Sequence, residues 1–82
     1  MDFFNRVIVS EVLGNNILDS LSDDEYEKYM EIKYSYEEQI IKARALITMI
    51  PNFYDQKIKY QEKFIIELID NLSIEKINKK NL

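Results

Sequence analysis

The feature that most constrains this chain is an apolar stripe between residues 21 and 51. Its members recur at spacings of three or four residues, the period of one face of an α-helix. They are Tyr29, Ile32, Tyr36, Ile40, Ala43, Ile47 and Ile50. Before the stripe, Ser22 can cap backbone N–H groups and Glu25 can bond back to it, which is typical of a helix start. Pro51 ends the pattern because proline cannot continue a helix.

This pattern predicts one long amphipathic helix over residues 23–50, roughly 40 Å in length. A second capping sequence, Ser35-Tyr36-Glu37-Glu38, leaves a break near Ser35 open as the alternative. Because the stripe keeps its phase through Tyr36, we expect the continuous helix.

A first helix is predicted over residues 2–13, where Phe4, Ile8 and Val12 fall at helical spacing. The run Val7-Ile8-Val9 is β-branched, so a strand over residues 4–12 is the alternative. Gly14 should end this helix, since glycine adopts the left-handed conformation of a helix C-cap.

After Pro51 the sequence predicts a third helix over residues 53–71. Its expected main face consists of Tyr54, Ile58, Ile65, Leu68, Ile69 and Leu72. Ser73 is expected to cap a short helix over 74–78, and the C-terminus beyond it should fray. Residues 1–82 therefore predict a single all-α domain, a small three- to four-helix bundle with one long central amphipathic helix.

Composition excludes several function classes. With one Gly and one Pro, the chain is poor in the turn residues that a sheet of many short strands needs. It has no Cys and no His, which removes disulfides, the usual zinc ligands and the usual general base. We therefore expect no catalytic, cofactor-binding or metal site, and no enzymatic activity. Because no signal peptide or membrane span is apparent, we expect a cytoplasmic protein that does not bind membranes.

Charge is divided unevenly along the chain. The net charge is −4, with −5 in residues 1–50 and +1 in residues 51–82. Binding to phosphates requires Lys and Arg, so the acidic balance argues against direct contact with nucleic acid. The acids concentrate at the start of the predicted long helix.

These acids lie beside tyrosines, which serve well as interface anchors because they bury much area at little entropic cost. We therefore predict a non-enzymatic regulatory or adaptor protein that binds a protein partner. The predicted contact residues are Tyr29, Glu31, Tyr34, Tyr36, Asp23, Asp24 and Glu27. One alternative is an acidic mimic of nucleic acid that inhibits a DNA-binding protein. Another is a structural homodimer in which the apolar stripe packs on its own copy.

The sequence Leu21-Ser22-Asp23-Asp24-Glu25, followed by a helix and by Ile50-Pro51, resembles the Hha/YmoA family of small helical nucleoid modulators. The resemblance covers residues 21–51 and implies a four-helix, non-enzymatic regulator that binds a partner protein. It assigns no role to an individual residue. The abundance of Ile, Asn and Lys fits an AT-rich genome, such as that of a phage acting on a host, replication or transcription factor.

Overall fold

Four α-helices and two short 3₁₀ turns make up this chain in a computed structural model, which describes the backbone of residues 2–81 and the side chains of residues 2–74. The helices are α1 (Phe3–Leu13), α2 (Asp23–Ser35), α3 (Glu37–Thr48) and α4 (Ile58–Asn81). The 3₁₀ turns are Leu18–Ser20 and Phe53–Asp55. The predicted all-α fold is confirmed, and the described backbone contains no strand.

The first helix lies at the centre of the fold. It packs on α2, α3 and α4, whereas α4 packs mainly on α1 and α3. Residues 7–10 and Val12 are all buried, and a helix that is buried on nearly every side tolerates an apolar run such as Val7-Ile8-Val9. The expectation that residues 23–50 form the central helix is therefore wrong. The strand alternative for residues 4–12 is wrong as well.

The expected continuous helix over residues 23–50 is divided at Tyr36. This residue has φ −114° and ψ 15°, outside the helical region. Its N–H still donates to the Ile32 carbonyl at 3.0 Å, and its own carbonyl accepts from the Ile40 N–H at 2.8 Å. The Tyr36 ring packs edge-on against Phe4 of α1, with ring centroids 5.1 Å apart. Ser35 does not cap α3, because the N-cap position is Tyr36 and no side chain bonds there.

The apolar stripe nevertheless forms the buried face of both helices. Ile40 is 5% exposed, and Ala43 and Ile47 are fully buried. Burial of an aliphatic side chain of this size contributes about 1.5–3 kcal/mol, so the stripe is a main source of stability. The core that it joins consists of Ile8, Val9, Val12, Ile40, Ala43, Ile47, Phe53, Ile65 and Ile69.

The turn between α3 and α4 changes the expected face of the last helix. Tyr54 and Ile58, predicted to be core residues, are 58% and 70% exposed. Phe53 and Gln61 are buried instead, at 1% and 7% exposure. The reason is that Gln56 is extended, with φ −71° and ψ 158°, so the residues before it do not share the helical phase of α4. Beyond the turn the expected face is confirmed by the buried Ile65 and Ile69, with Leu68 and Leu72 packed against them.

The last helix is longer than expected. It begins at Ile58 rather than near residue 53 and continues as one helix to Asn81, so the predicted end at residue 71 and the separate helix over 74–78 are wrong. Ser73 lies inside α4 and does not cap a helix; its buried Oγ has no hydrogen-bond partner among the described residues. The expected fraying of the C-terminus falls on residues whose side chains lie outside the described part.

The connection from α1 to α2 follows the predicted turn chemistry. Gly14 adopts φ +79° after α1, and its N–H donates to the Ser10 carbonyl. The Asn16 side chain then accepts a hydrogen bond from the Leu18 N–H at 2.9 Å, at the start of the first 3₁₀ turn. This turn delivers the chain to Ser22, where α2 begins.

Candidate interaction surface

The start of α2 is fixed by the predicted capping box. The Glu25 N–H donates to the Ser22 Oγ at 3.3 Å, and the Ser22 N–H donates to the Glu25 carboxylate at 3.1 Å. The hydrogen bond from the Ser22 backbone, followed by that from its side chain, lowers the pKa of Glu25 below its ordinary value of 4.5. Asp23 and Asp24 share this first turn, where the positive end of the helix dipole favours carboxylates.

The predicted contact residues lie on two opposite faces of α2. Tyr29 is 4% exposed and is therefore part of the interior, not of an interaction surface. Tyr36 is half-buried, with its ring held against Phe4. These two residues were predicted as partner contacts, and their membership of the apolar stripe explains why they turn inward instead.

The outward side of α2 carries the other five predicted residues, and we call this surface the acidic face. It consists of Asp23, Asp24, Glu27, Glu31 and Tyr34, all of which are exposed. Tyr34 is 67% exposed, the largest value of any tyrosine in the chain. Residues three and four apart are neighbours on a helix, so Glu31 adjoins both Glu27 and Tyr34.

The charges of the acidic face are available to a partner. Within residues 2–74 the structure shows a single ion pair, Lys42 with Glu38 at 3.3 Å on α3, and it involves none of the acidic face. Lys28 is the basic residue nearest in sequence to Glu27, yet it forms no ion pair with Glu27 or with another acid of the described residues. Four carboxylates on one exposed helix face create a negative potential that attracts positively charged surfaces.

A second exposed surface, which sequence reasoning missed, lies where α3 turns into α4. The rings of Phe53 and Tyr54 lie 5.5 Å apart, those of Phe53 and Phe64 5.7 Å, and those of Tyr60 and Phe64 6.2 Å. Tyr54 and Tyr60 are more than half exposed. The clustering of four aromatic residues within 53–64 was visible in the sequence, but the assignment of Tyr54 to the core concealed it.

The outer side of α3 is also partly apolar. Ile41 is 60% exposed, Leu46 42% and Met49 77%. The exposed Ala45 lies between them on the helix. The predicted stripe accounts for the inner side of α3 and gave no expectation for these residues.

Among the described residues, no group of three or more His, Cys, Asp or Glu side chains is placed to hold a metal ion. The same part of the chain has no helix that is both long and apolar enough to cross a membrane. The acidic face presents four carboxylates and the exposed ring of Tyr34, whose hydroxyl can form hydrogen bonds.

Comparison of this chain with protein-family models, curated proteins and solved structures finds no match. The similarity of residues 21–51 to the Hha/YmoA family stays a prediction.

Proposed function

We propose that this chain is a small non-enzymatic regulatory protein that binds a protein partner through the acidic face of α2. The observation that carries the proposal is Tyr34, which is 67% exposed and lies one turn beyond Glu31, at the end of a row of carboxylates without ion pairs, on a helix whose inner side is already packed on α1. The partner surface should be rich in Lys and Arg, since these residues complement the carboxylates.

The two kinds of residue on this face have different roles in the proposal. Tyr34 is the anchor, because tyrosine buries a large ring at little entropic cost while its hydroxyl can still form a hydrogen bond. Glu31 lies one turn before it and Glu27 two turns before it, and both accelerate encounter with a basic surface, the usual contribution of charges at the rim of an interface. Burial of Tyr34 in the partner should therefore supply most of the affinity.

The non-enzymatic character is supported by the placement of the carboxylates. Acid–base catalysis by two carboxyl groups requires a site that separates their pKa values. The acidic face lies on the outside of a helix, and the chain has neither His nor Cys to supply another base or nucleophile. Binding is the role that this arrangement supports.

The test is affinity capture with immobilised protein, followed by titration of the captured partner after its identification and purification. Tyr34→Ala should weaken binding about 30-fold, the equivalent of about 2 kcal/mol for an interface hot spot. Since the side chain is exposed, the far-UV circular dichroism of this variant should match that of the wild type. Equal affinity of the variant and the wild type would overturn the proposal.

Charge variants test the electrostatic part. The double variant Glu27→Gln/Glu31→Gln removes two carboxylates outside the capping box and should bind more weakly at low salt. The matched control Glu67→Gln/Asp70→Asn makes the same charge change on exposed positions of α4 and should bind as the wild type does. At high salt all variants should converge, because the screening length falls from about 10 Å at 0.1 M to about 3 Å at 1 M. A partner that DNA displaces would indicate nucleic-acid mimicry instead.

A further inference from the structure

The exposed apolar residues of α3, together with its C-cap residue Met49, form a ridge, which we define as Ile41, Ala45, Leu46 and Met49. Ile41, Ala45 and Met49 follow one another at intervals of four residues, so they lie on one side of the helix, about 6 Å apart along its axis. Leu46 borders them. Ile41 and Met49 are among the most exposed large apolar side chains of the chain, at 60% and 77%.

Two of the polar side chains beside the ridge, Thr48 and Lys42, already have partners within the chain. The Thr48 hydroxyl donates to the Ala45 carbonyl at 2.7 Å. The Lys42 ammonium lies 3.3 Å from the Glu38 carboxylate, and this pair carries no net charge. Covering the ridge would therefore leave the Thr48 hydroxyl and the Lys42–Glu38 pair with their partners, while the guanidinium of Arg44, beside Ile41, would have to remain in solvent at the rim.

The size of the ridge suits the apolar centre of a small interface. From their exposed fractions, its four side chains present on the order of 300 Å². A standard interface buries about 800 Å² per partner, somewhat more than half of it apolar, with a polar rim. The methylene groups of Lys42 and Arg44 add apolar area to the ridge and bring it closer to the apolar part of a standard interface. An apolar area of this extent is comparable to the largest patch of an ordinary monomer, about 300–600 Å², which is often functional.

We propose that the ridge binds a second copy of this chain, with two α3 helices packed antiparallel about a two-fold axis at Ala45. In this arrangement Ile41 of each copy packs on Met49 of the other, since both lie four residues from Ala45. The small side chain at the axis lets the helices approach to about 8 Å. A two-fold interface requires a surface that complements itself. The ridge meets this requirement because Ile41 and Met49 lie at equal distances on either side of Ala45.

The charges favour a second copy over a charged partner. The exposed charged residues of α3 are Glu37, Glu38, Lys42 and Arg44, two acids and two bases, so this side of the helix has no net charge with which to select a basic or an acidic surface. The homodimer expected from the sequence used the apolar stripe, which α1 and α4 cover here. The proposed dimer uses the opposite side of α3 and leaves the acidic face of α2 unoccupied.

Light scattering of the purified protein, from millimolar to micromolar concentration, tests the dimer without any other partner. The wild type should show twice the mass of one chain at high concentration and dissociate on dilution. Ile41→Asp should raise the dissociation constant about tenfold or more, because it would bury a carboxylate. The control Ile58→Asp makes the same change at an equally exposed isoleucine outside the ridge and should dimerise as the wild type does.

A cysteine variant tests the position of the axis. The chain has no cysteine, so Ala45→Cys introduces the sole thiol. Under mild oxidation it should form a disulfide-linked dimer, since the two Cβ atoms at the axis lie within the roughly 4 Å that a disulfide requires. Glu31→Cys on α2 should cross-link far more slowly. A wild type that is monomeric at every concentration, or a dimer insensitive to Ile41→Asp, would overturn the proposal.

Discussion

Replacement by leucine should affect stability differently at two buried glutamines, Gln61 and Gln39. The Gln61 amide nitrogen lies 3.1, 3.0 and 3.2 Å from the carbonyl oxygens of Phe53, Tyr54 and Gln56. It thereby ties the second 3₁₀ turn to the first part of α4. A side-chain amide has two hydrogens, so these three contacts amount to two hydrogen bonds. At about 0.5–1.5 kcal/mol for each, their loss in Gln61→Leu costs about 1–3 kcal/mol.

Gln39 provides the matched control. It is 5% exposed, close to the 7% of Gln61, but its Oε1 atom is buried and has no hydrogen-bond partner in the described part of the structure. Replacing a buried acceptor without a partner by an apolar group of similar size is neutral or stabilising. Because leucine adds the same apolar surface at both positions, the difference between the two variants isolates the hydrogen bonds of Gln61.

Urea unfolding followed by far-UV circular dichroism measures both variants. Gln61→Leu should be less stable than Gln39→Leu by about 1–3 kcal/mol, with an unchanged slope of free energy against urea. In a thermal scan each 1 kcal/mol corresponds to about 4–8 °C for a domain of this size. Equal stability of the two variants, or a larger loss in Gln39→Leu, would refute the argument that satisfied hydrogen bonds distinguish them.

Further predictions concern helix ends and the helix junction. Gly14→Ala should cost about 1 kcal/mol in urea unfolding, because φ +79° strains any other residue although a Cβ would meet no atom within 4 Å. Ser22→Ala should destabilise the fold by about 1 kcal/mol through loss of the cap of α2. The lowered pKa of Glu25 adds folding stability that is present above pH 4.5 and is lost as the pH falls through the folded-state pKa. The free energy of unfolding of Glu25→Gln, measured at a series of acid pH values, should lack this loss. Phe4→Leu should cost about 1 kcal/mol, since it removes the edge-on ring contact with Tyr36.

The parts of the fold that the sequence predicted correctly depend on neighbours in the chain. The capping box of Ser22 and Glu25 spans three residues, and the C-cap at Gly14 requires one backbone conformation that glycine adopts readily. The buried face of α2 and α3 follows from helical periodicity alone. In each case the physical cause lies within a few residues, where a sequence pattern is informative.

The parts that it missed depend on contacts between distant residues. No sequence feature near Tyr36 indicates that its ring packs against Phe4, which lies more than thirty positions earlier in the chain. Phe53 is buried in the core where Tyr54 was predicted. The reason is that Gln56 is extended, so the residues before it do not follow the helical phase of α4. Of the predicted contact residues, Tyr29 was misplaced because a tyrosine on an apolar stripe fits an interior and an interface equally well.

On either side of Tyr36, α2 and α3 have different neighbours. α2 packs mainly on α1, whereas α3 packs on both α1 and α4. A helix with one neighbour keeps much of its circumference in solvent, so α2 exposes Tyr26 and Tyr34 as well as its carboxylates. Most residues of α3 are exposed as well, among them Ile41, Ala45 and Leu46 of the ridge. The two helices therefore differ in what they expose, not in how much. One short chain thus carries a charged face on α2 that is suited to a partner protein and an apolar ridge on α3 that is suited to pairing with another helix.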